Sequence, residues 1–173
     1  MVEFIQADLG VHRALLVDLN EEYLGWIVGN LQKLYGIDAM SIVHQTVRQY
    51  AERTIDEIAV FVPPEGIFYL LKEGENAIGM GGLRRVRKGV AEIKRMYVKP
   101  EYRGKGLGKA LLQQLLRKGQ EFGFSLILLE TGKFMTAAHR LYRSAGFAER
   151  PEYPETEVPP ELRPLWLFME KSI

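Results

Sequence analysis

The chain has 173 residues, 47% of them hydrophobic and 26% charged, the size and mix expected of one soluble globular domain spanning residues 1–173. No apolar run is long enough to span a bilayer, and the absence of cysteine excludes a disulfide framework, a thiolate metal site and a cysteine nucleophile. The net charge of +1 conceals an asymmetry: residues 84–143 hold 15 of the 23 Lys and Arg but only four acids, and such a basic centre inside acidic flanks suggests that one part of the molecule meets an anion.

In chain order, VEFIQ (2–6) is a short strand candidate, and apolar residues at Leu16, Leu19, Tyr23, Ile27, Leu31 and Leu34 mark one face of a helix from about His12 to Tyr35, stopped by Gly36. A second helix is expected from Ser41, as N-cap, through Val43, Val47, Tyr50 and Ile55. After Pro63-Pro64, residues 67–71, 77–86 and 90–98 read as three antiparallel strands joined by tight turns. PEYRGKGLG follows, then a helix with Leu111, Leu112, Leu115, Leu116 and Phe122 on its apolar face, a buried strand at 125–131, and a helix from about Met135 to Ala145. A strand opens at Phe147; residues 151–164, with five of the eight prolines, form a loop; LWLFMEK (165–171) closes the chain as a strand. The order predicts an α+β domain with a mixed sheet. The first twenty residues lack the order of a signal peptide, and the expected location is the cytoplasm.

Arg103-Gly104-Lys105-Gly106-Leu107-Gly108 stands between a strand and a helix start. Glycines allow a tight turn whose N–H groups converge on one spot, an anion nest, and the following helix N-terminus adds unpaired N–H groups and the positive end of its dipole. Arg103, Lys105 and Lys109 add full charges. A nucleotide P-loop is excluded because the turn runs into Gly-Lys-Ala-Leu where Gly-Lys-Ser/Thr is needed, and a dinucleotide fingerprint fits poorly after an antiparallel meander.

MYVKPEYRGKGLGKALL, LLET and AHRLYRSAGF, in that order over roughly residues 77–147, resemble the GNAT superfamily of acetyl-CoA-dependent N-acetyltransferases. The resemblance implies a mostly antiparallel mixed sheet of about seven strands, splayed between strands 4 and 5 and flanked by four helices. It implies that acetyl-CoA is the cosubstrate, that Gly104, Lys105, Gly106, Leu107, Gly108 and Lys109 hold its pyrophosphate, and that Met96, Tyr97 and Val98 pair with the pantetheine arm and polarise the thioester carbonyl. Lys133, Arg140 or Arg143 is then placed to meet the ribose phosphate.

Acetyl transfer to an amine needs a base, an oxyanion site and a proton for the leaving thiolate. Without cysteine, direct attack in a ternary complex is the expectation. Tyr142 holds the family's tyrosine position and, with a phenol pKa of about 10, suits protonation of the thiolate. For the base, Glu92 ranks first and Glu130 second, with a water chain as the alternative. Strand alternation places Glu92, Lys94, Met96 and Val98 on one face, barring a bulge. Where many members carry an asparagine seven residues before the tyrosine, this chain has Met135, so Thr131 or Thr136 is the candidate replacement.

Glu152, Glu155, Glu157 and Glu161 with Tyr153 in the late loop, and Glu21, Glu22 and Tyr23 in the first helix, suggest an acidic wall suited to a small cationic amine or a basic peptide. The expected partner is therefore a small-molecule or peptide amine, with a homodimer left open, and neither nucleic acid nor membrane. His12, His44 and His139 are scattered, so no metal is expected. The alternative reading is a non-catalytic acyl-CoA-binding module on the same fold.

Overall fold

The computed structural model describes residues 1–173. Seven strands form one sheet in the order β1-β2-β3-β4-β5-β7-β6. They are β1 (Val2–Gln6), β2 (Gly66–Glu73), β3 (Asn76–Arg87), β4 (Val90–Val98), β5 (Leu126–Gly132), β6 (Ala148–Arg150) and β7 (Trp166–Ser172). Every neighbouring pair is antiparallel except β4 and β5, which run parallel. This is the expected α+β architecture, with five helices in place of four: α1 (Leu9–Tyr35), α2 (Ala39–Val43), α3 (Val47–Asp56), α4 (Leu107–Glu121) and α5 (Thr136–Ser144).

The extra helix comes from dividing the segment expected to form one helix from Ser41 to Ile55. Asp38, not Ser41, is the N-cap of α2, accepting from Ser41 N at 3.2 Å. His44 then adopts a left-handed φ of 52° and ends the helix. Thr46 and Gln49 restart the chain as α3 through a reciprocal capping box. Two strong cap signals eight residues apart, Asp38 and Thr46, outcompete the continuous apolar spacing.

The sheet is covered on both faces. On one side Leu111, Leu112 and Leu115 of α4 pack on Leu83, Ala91, Ile93 and Leu129, with Tyr142 and Phe147 at the margin. On the other side Leu16, Val17 and Leu19 of α1 and Ile55 of α3 pack on Phe68, Leu70, Met80 and Tyr97.

One irregularity in β4 decides which side chains reach which face. Between Lys94 and Tyr97 the strand advances three residues while the facing β3 moves only from Gly82 to Met80. The extra residue is accommodated at Arg95, which takes a left-handed φ of 53°. Gly81 opposite leaves the room; a Cβ there would stand 3.2 Å from Met96 Cα. The bulge resets the alternation. Met96 packs on the α4 face with Ile93, whereas Lys94 and Arg95 both turn toward α1 and α3. The expected grouping of Met96 with Glu92 and Lys94 is thus corrected.

Candidate active site

β4 and β5 pair only from Val90↔Leu126 to Ile93↔Leu129. Beyond Ile93 the strands part, and the β5-facing edge of β4 over Lys94–Val98 has no strand partner. Two cavities open into this gap. A slot of about 540 Å³ runs between β4, α4 and α5, and an inner cavity of about 310 Å³ lies under α1, α2, α3 and the loop before β7. They share Tyr23, Ile93, Arg95, Glu130, Thr131 and Met135.

The slot is built largely from backbone. Gly104 and Gly106 hold left-handed φ values of 76° and 79°, and Gly106 caps α4 without any side-chain acceptor. The first-turn N–H groups of α4 are therefore left for an external anion. Gly104, Gly106, Leu107, Gly108 and Lys109 line the slot, as do Met96, Tyr97 and Val98. Arg103 also lines it, but its Nε donates to Val98 O at 2.8 Å and its guanidinium lies over the Trp26 and Tyr97 rings, so it ties the turn to the end of β4. Lys105 stands outside the lining, its ammonium over the Tyr102 ring. Of the three candidates for a ribose phosphate, Arg143 is paired with Glu149, whereas Lys133 and Arg140 are exposed.

α5 supplies Tyr142, which is 7% exposed and packs on Phe147. Its hydroxyl has no hydrogen-bond partner within the protein and borders the slot. Burial, with a smaller contribution from Tyr23, pushes its pKa up from the ordinary tyrosine value, so the phenol stays protonated through neutral pH. At the start of α5, Met135 Sδ accepts a bond from Thr131 Oγ1 at 3.5 Å. Thr131 is thus engaged inside the protein, whereas Thr136, the other candidate, is exposed on the slot.

The two candidate bases have different surroundings. Glu92 is 0% exposed, accepts from Tyr153 Oη at 2.6 Å and from Arg84 Nη2 at 3.0 Å, and lines neither cavity. Burial raises its pKa against the attraction of Lys94. Glu130 lines both cavities; one oxygen meets Lys94 Nζ at 2.9 Å and the other accepts from Thr156 Oγ1 at 2.6 Å. Lys94 also lies 3.0 Å from Glu157 and 3.6 Å from Glu92. Burial alone would lower the Lys94 pKa, but these three carboxylates outweigh it and hold the ammonium above its ordinary value.

The acidic wall expected from the loop and the first helix is largely neutralised. Glu152 pairs with Arg163, Glu155 with Arg87, Glu157 with Arg84 and Lys94, and Glu21 with Arg48. Glu22 accepts from Tyr97 Oη at 2.7 Å and lies near Lys99, while Tyr153 is buried against Glu92. Apart from Arg163, the basic partners come from remote parts of the chain, which is why counting acids in one segment overstated the free negative charge. The residue that pattern reading missed is Arg95: simple alternation sends it to the α4 face, and no local signal marks the bulge that redirects it.

Residues 32–147 match the acetyltransferase (GNAT) family. The chain is 32% identical over 118 residues to an IAA acetyltransferase of Azospirillum brasilense, covering 68% of this chain and 74% of that protein. It is 31% identical over 101 residues to the uncharacterized N-acetyltransferase YjgM of Escherichia coli, covering 56% of this chain and 60% of that one. In fold it is similar to the PaiA N-acetyltransferase of Thermoplasma acidophilum, solved in complex with coenzyme A, with a TM-score of 0.74, 18% identity, and coverage of 100% and 99% of the two chains.

Proposed function

The chain belongs to the GNAT acetyltransferase family, and from that premise we propose that it transfers the acetyl group of acetyl-CoA to a primary amine by direct attack in a ternary complex. The observation that carries this reading is the meeting of two cavities at the gap between β4 and β5, one suited to each substrate. The slot fits acetyl-CoA. Its glycine turn and uncapped α4 N-terminus suit the pyrophosphate, and the unpaired edge of β4 suits the amide groups of the pantetheine arm. The acetyl group then reaches the shared residues, where the amine arrives from the inner cavity.

Each step has a residue of this chain. Glu130 borders both cavities and takes the amine proton, directly or through water. A main-chain N–H on the open edge of β4 at Met96–Val98 stabilises the oxyanion. Tyr142, held neutral by burial, gives its proton to the leaving sulfur. Glu92, the first choice from sequence, acts through Lys94 and Tyr153 as a positioning residue, because neither of the two cavities reaches it.

Two measurements test this reading. Calorimetry with acetyl-CoA reports the slot, and free-thiol release across a panel of amines reports transfer. We expect binding of acetyl-CoA and thiol release that depends on an acceptor and collapses in Tyr142→Phe. Failure of acetyl-CoA to bind would overturn it.

A further inference from the structure

The inner cavity holds one cation whose charge the protein satisfies only in part. The Arg95 side chain is 10% exposed, and its one partner is Glu57, at 3.3 Å from Nη2. That carboxylate is shared: its other oxygen lies 2.6 Å from Arg53 Nη1. A guanidinium has five N–H donors. The remaining nitrogens of Arg95 are not sealed inside the protein, and the residue lines the cavity. Burial pulls the Arg95 pKa below its ordinary value despite Glu57, whereas Lys94, its neighbour in sequence, is held above. One buried cation is over-compensated and the next is under-compensated.

The cavity is therefore polarised. On the α3 side two guanidiniums, Arg53 and Arg95, share the single carboxylate of Glu57. On the β5 and loop side the lining Lys94 faces two lining carboxylates, Glu130 and Glu157, with the Arg84–Glu92 pair behind them. One wall carries excess positive charge and the other excess negative charge. Between them Leu24, Ile27, Val28, Leu31 and Leu162 give an apolar floor. A polyamine or a basic peptide would leave Arg95 unanswered and bring a further cation beside it, at a cost the low local dielectric raises.

Resting on the acetyltransfer reading above, we propose that the acceptor is a zwitterionic α-amino acid with an apolar side chain, its carboxylate bound by Arg95 and its amine directed to Glu130. Both residues line the junction of the cavities, where the carboxylate and the amine of one small acceptor would meet them. An α-amino acid presents both groups, whereas a diamine offers Arg95 no carboxylate to bond. The bulge at Arg95 has a role in this arrangement, because it turns the guanidinium into the cavity at the expense of a left-handed backbone.

The test uses the purified full chain with saturating acetyl-CoA and two matched series, leucine, leucinamide and isoamylamine, and phenylalanine, its amide and phenethylamine, with spermidine as the polyamine. Each free amino acid is expected to exceed its amide and its decarboxylated amine in kcat/KM by about tenfold or more, as for a site built to bond a group the analogue lacks. In Arg95→Gln that ratio falls toward one, chiefly through KM, and Arg95→Lys restores part of it. Calorimetry with N-acetylleucine, against N-isoamylacetamide, on the coenzyme A complex reads the same preference without turnover, and acetyl-CoA binding by each variant reports its fold. Equal use of the decarboxylated amines, preference for spermidine, a ratio unchanged in Arg95→Gln, or no binding of N-acetylleucine to the coenzyme A complex would each overturn the inference and leave acetyl-CoA binding intact. Loss of acetyl-CoA binding by the unmodified chain would instead overturn the parent reading.

Discussion

The slot and the inner cavity meet at the same gap in the sheet, yet they are made by different means. The slot rests on backbone: two left-handed glycines, the uncapped start of α4 and a strand edge left open where β5 diverges. The inner cavity rests on side chains brought from α1, α3, β4, β5 and the late loop, with buried charges held by one another. A backbone site can serve one ligand across many side-chain contexts, because N–H groups are present in every sequence. A side-chain site carries the discrimination, and it carries the cost of burying charge.

The largest effect tests the junction. Tyr142→Phe removes the proposed acid and is expected to lower kcat by about 10²- to 10⁴-fold, with acetyl-CoA affinity by calorimetry nearly unchanged. A kcat close to that of the unmodified chain would assign thiolate protonation to solvent. Lys94→Met then breaks the inner cavity selectively. It leaves Glu92, Glu130 and Glu157 without their common cation and is expected to cost about 3–5 kcal/mol in urea unfolding. An unchanged midpoint would mean that the cluster contributes nothing to folding.

Gly106→Ala makes the matching break in the slot. A Cβ there meets nothing within 4 Å, so the cost is conformational, about 1–2 kcal/mol for a left-handed alanine. Coenzyme affinity is expected to fall while the KM for the amine stays constant. An equal change in both would show that the two cavities are not separable.

The smallest effect is acid sensitivity. Burial pushes the Glu157 carboxyl up, but Lys94 and Arg84 outweigh it and pull the pKa from an ordinary 4.5 to about 2. Its folded value is depressed, so its contribution to stability is present above 4.5 and is lost as pH falls toward about 2. Because the side chain is 44% exposed, solvent screening limits this to about 1 kcal/mol or less. Urea unfolding from pH 6 to pH 3 is expected to show a shallower loss in Glu157→Gln than in the unmodified chain; parallel curves would place the acid sensitivity elsewhere.

Much of the fold and most of the slot could be read without coordinates. Apolar spacing, glycine stops and turn residues are local signals, so each strand and the long helices lie where the pattern puts them. The exception, the division into α2 and α3, also had a local signal in Thr46 and Gln49, which the continuous apolar spacing obscured. The glycine turn was legible from a few neighbouring residues between a strand and a helix, and Tyr142 from the resemblance of its segment to the family's.

The inner cavity was not legible in the same way. Whether an acid is free depends on which base reaches it, and Glu155 meets Arg87 from 68 residues away. Burial of Glu92 follows from Tyr153, 61 residues distant. Above all, the bulge at Arg95 is a matter of register between two strands, and register is set by how whole faces pack. The amino-acid sequence by itself determined the elements, the glycine turn and the family resemblance, all of which rest on near neighbours. Only the tertiary structure decided which charges cancel and which remain, because electrostatic pairing and strand register are properties of distance in space.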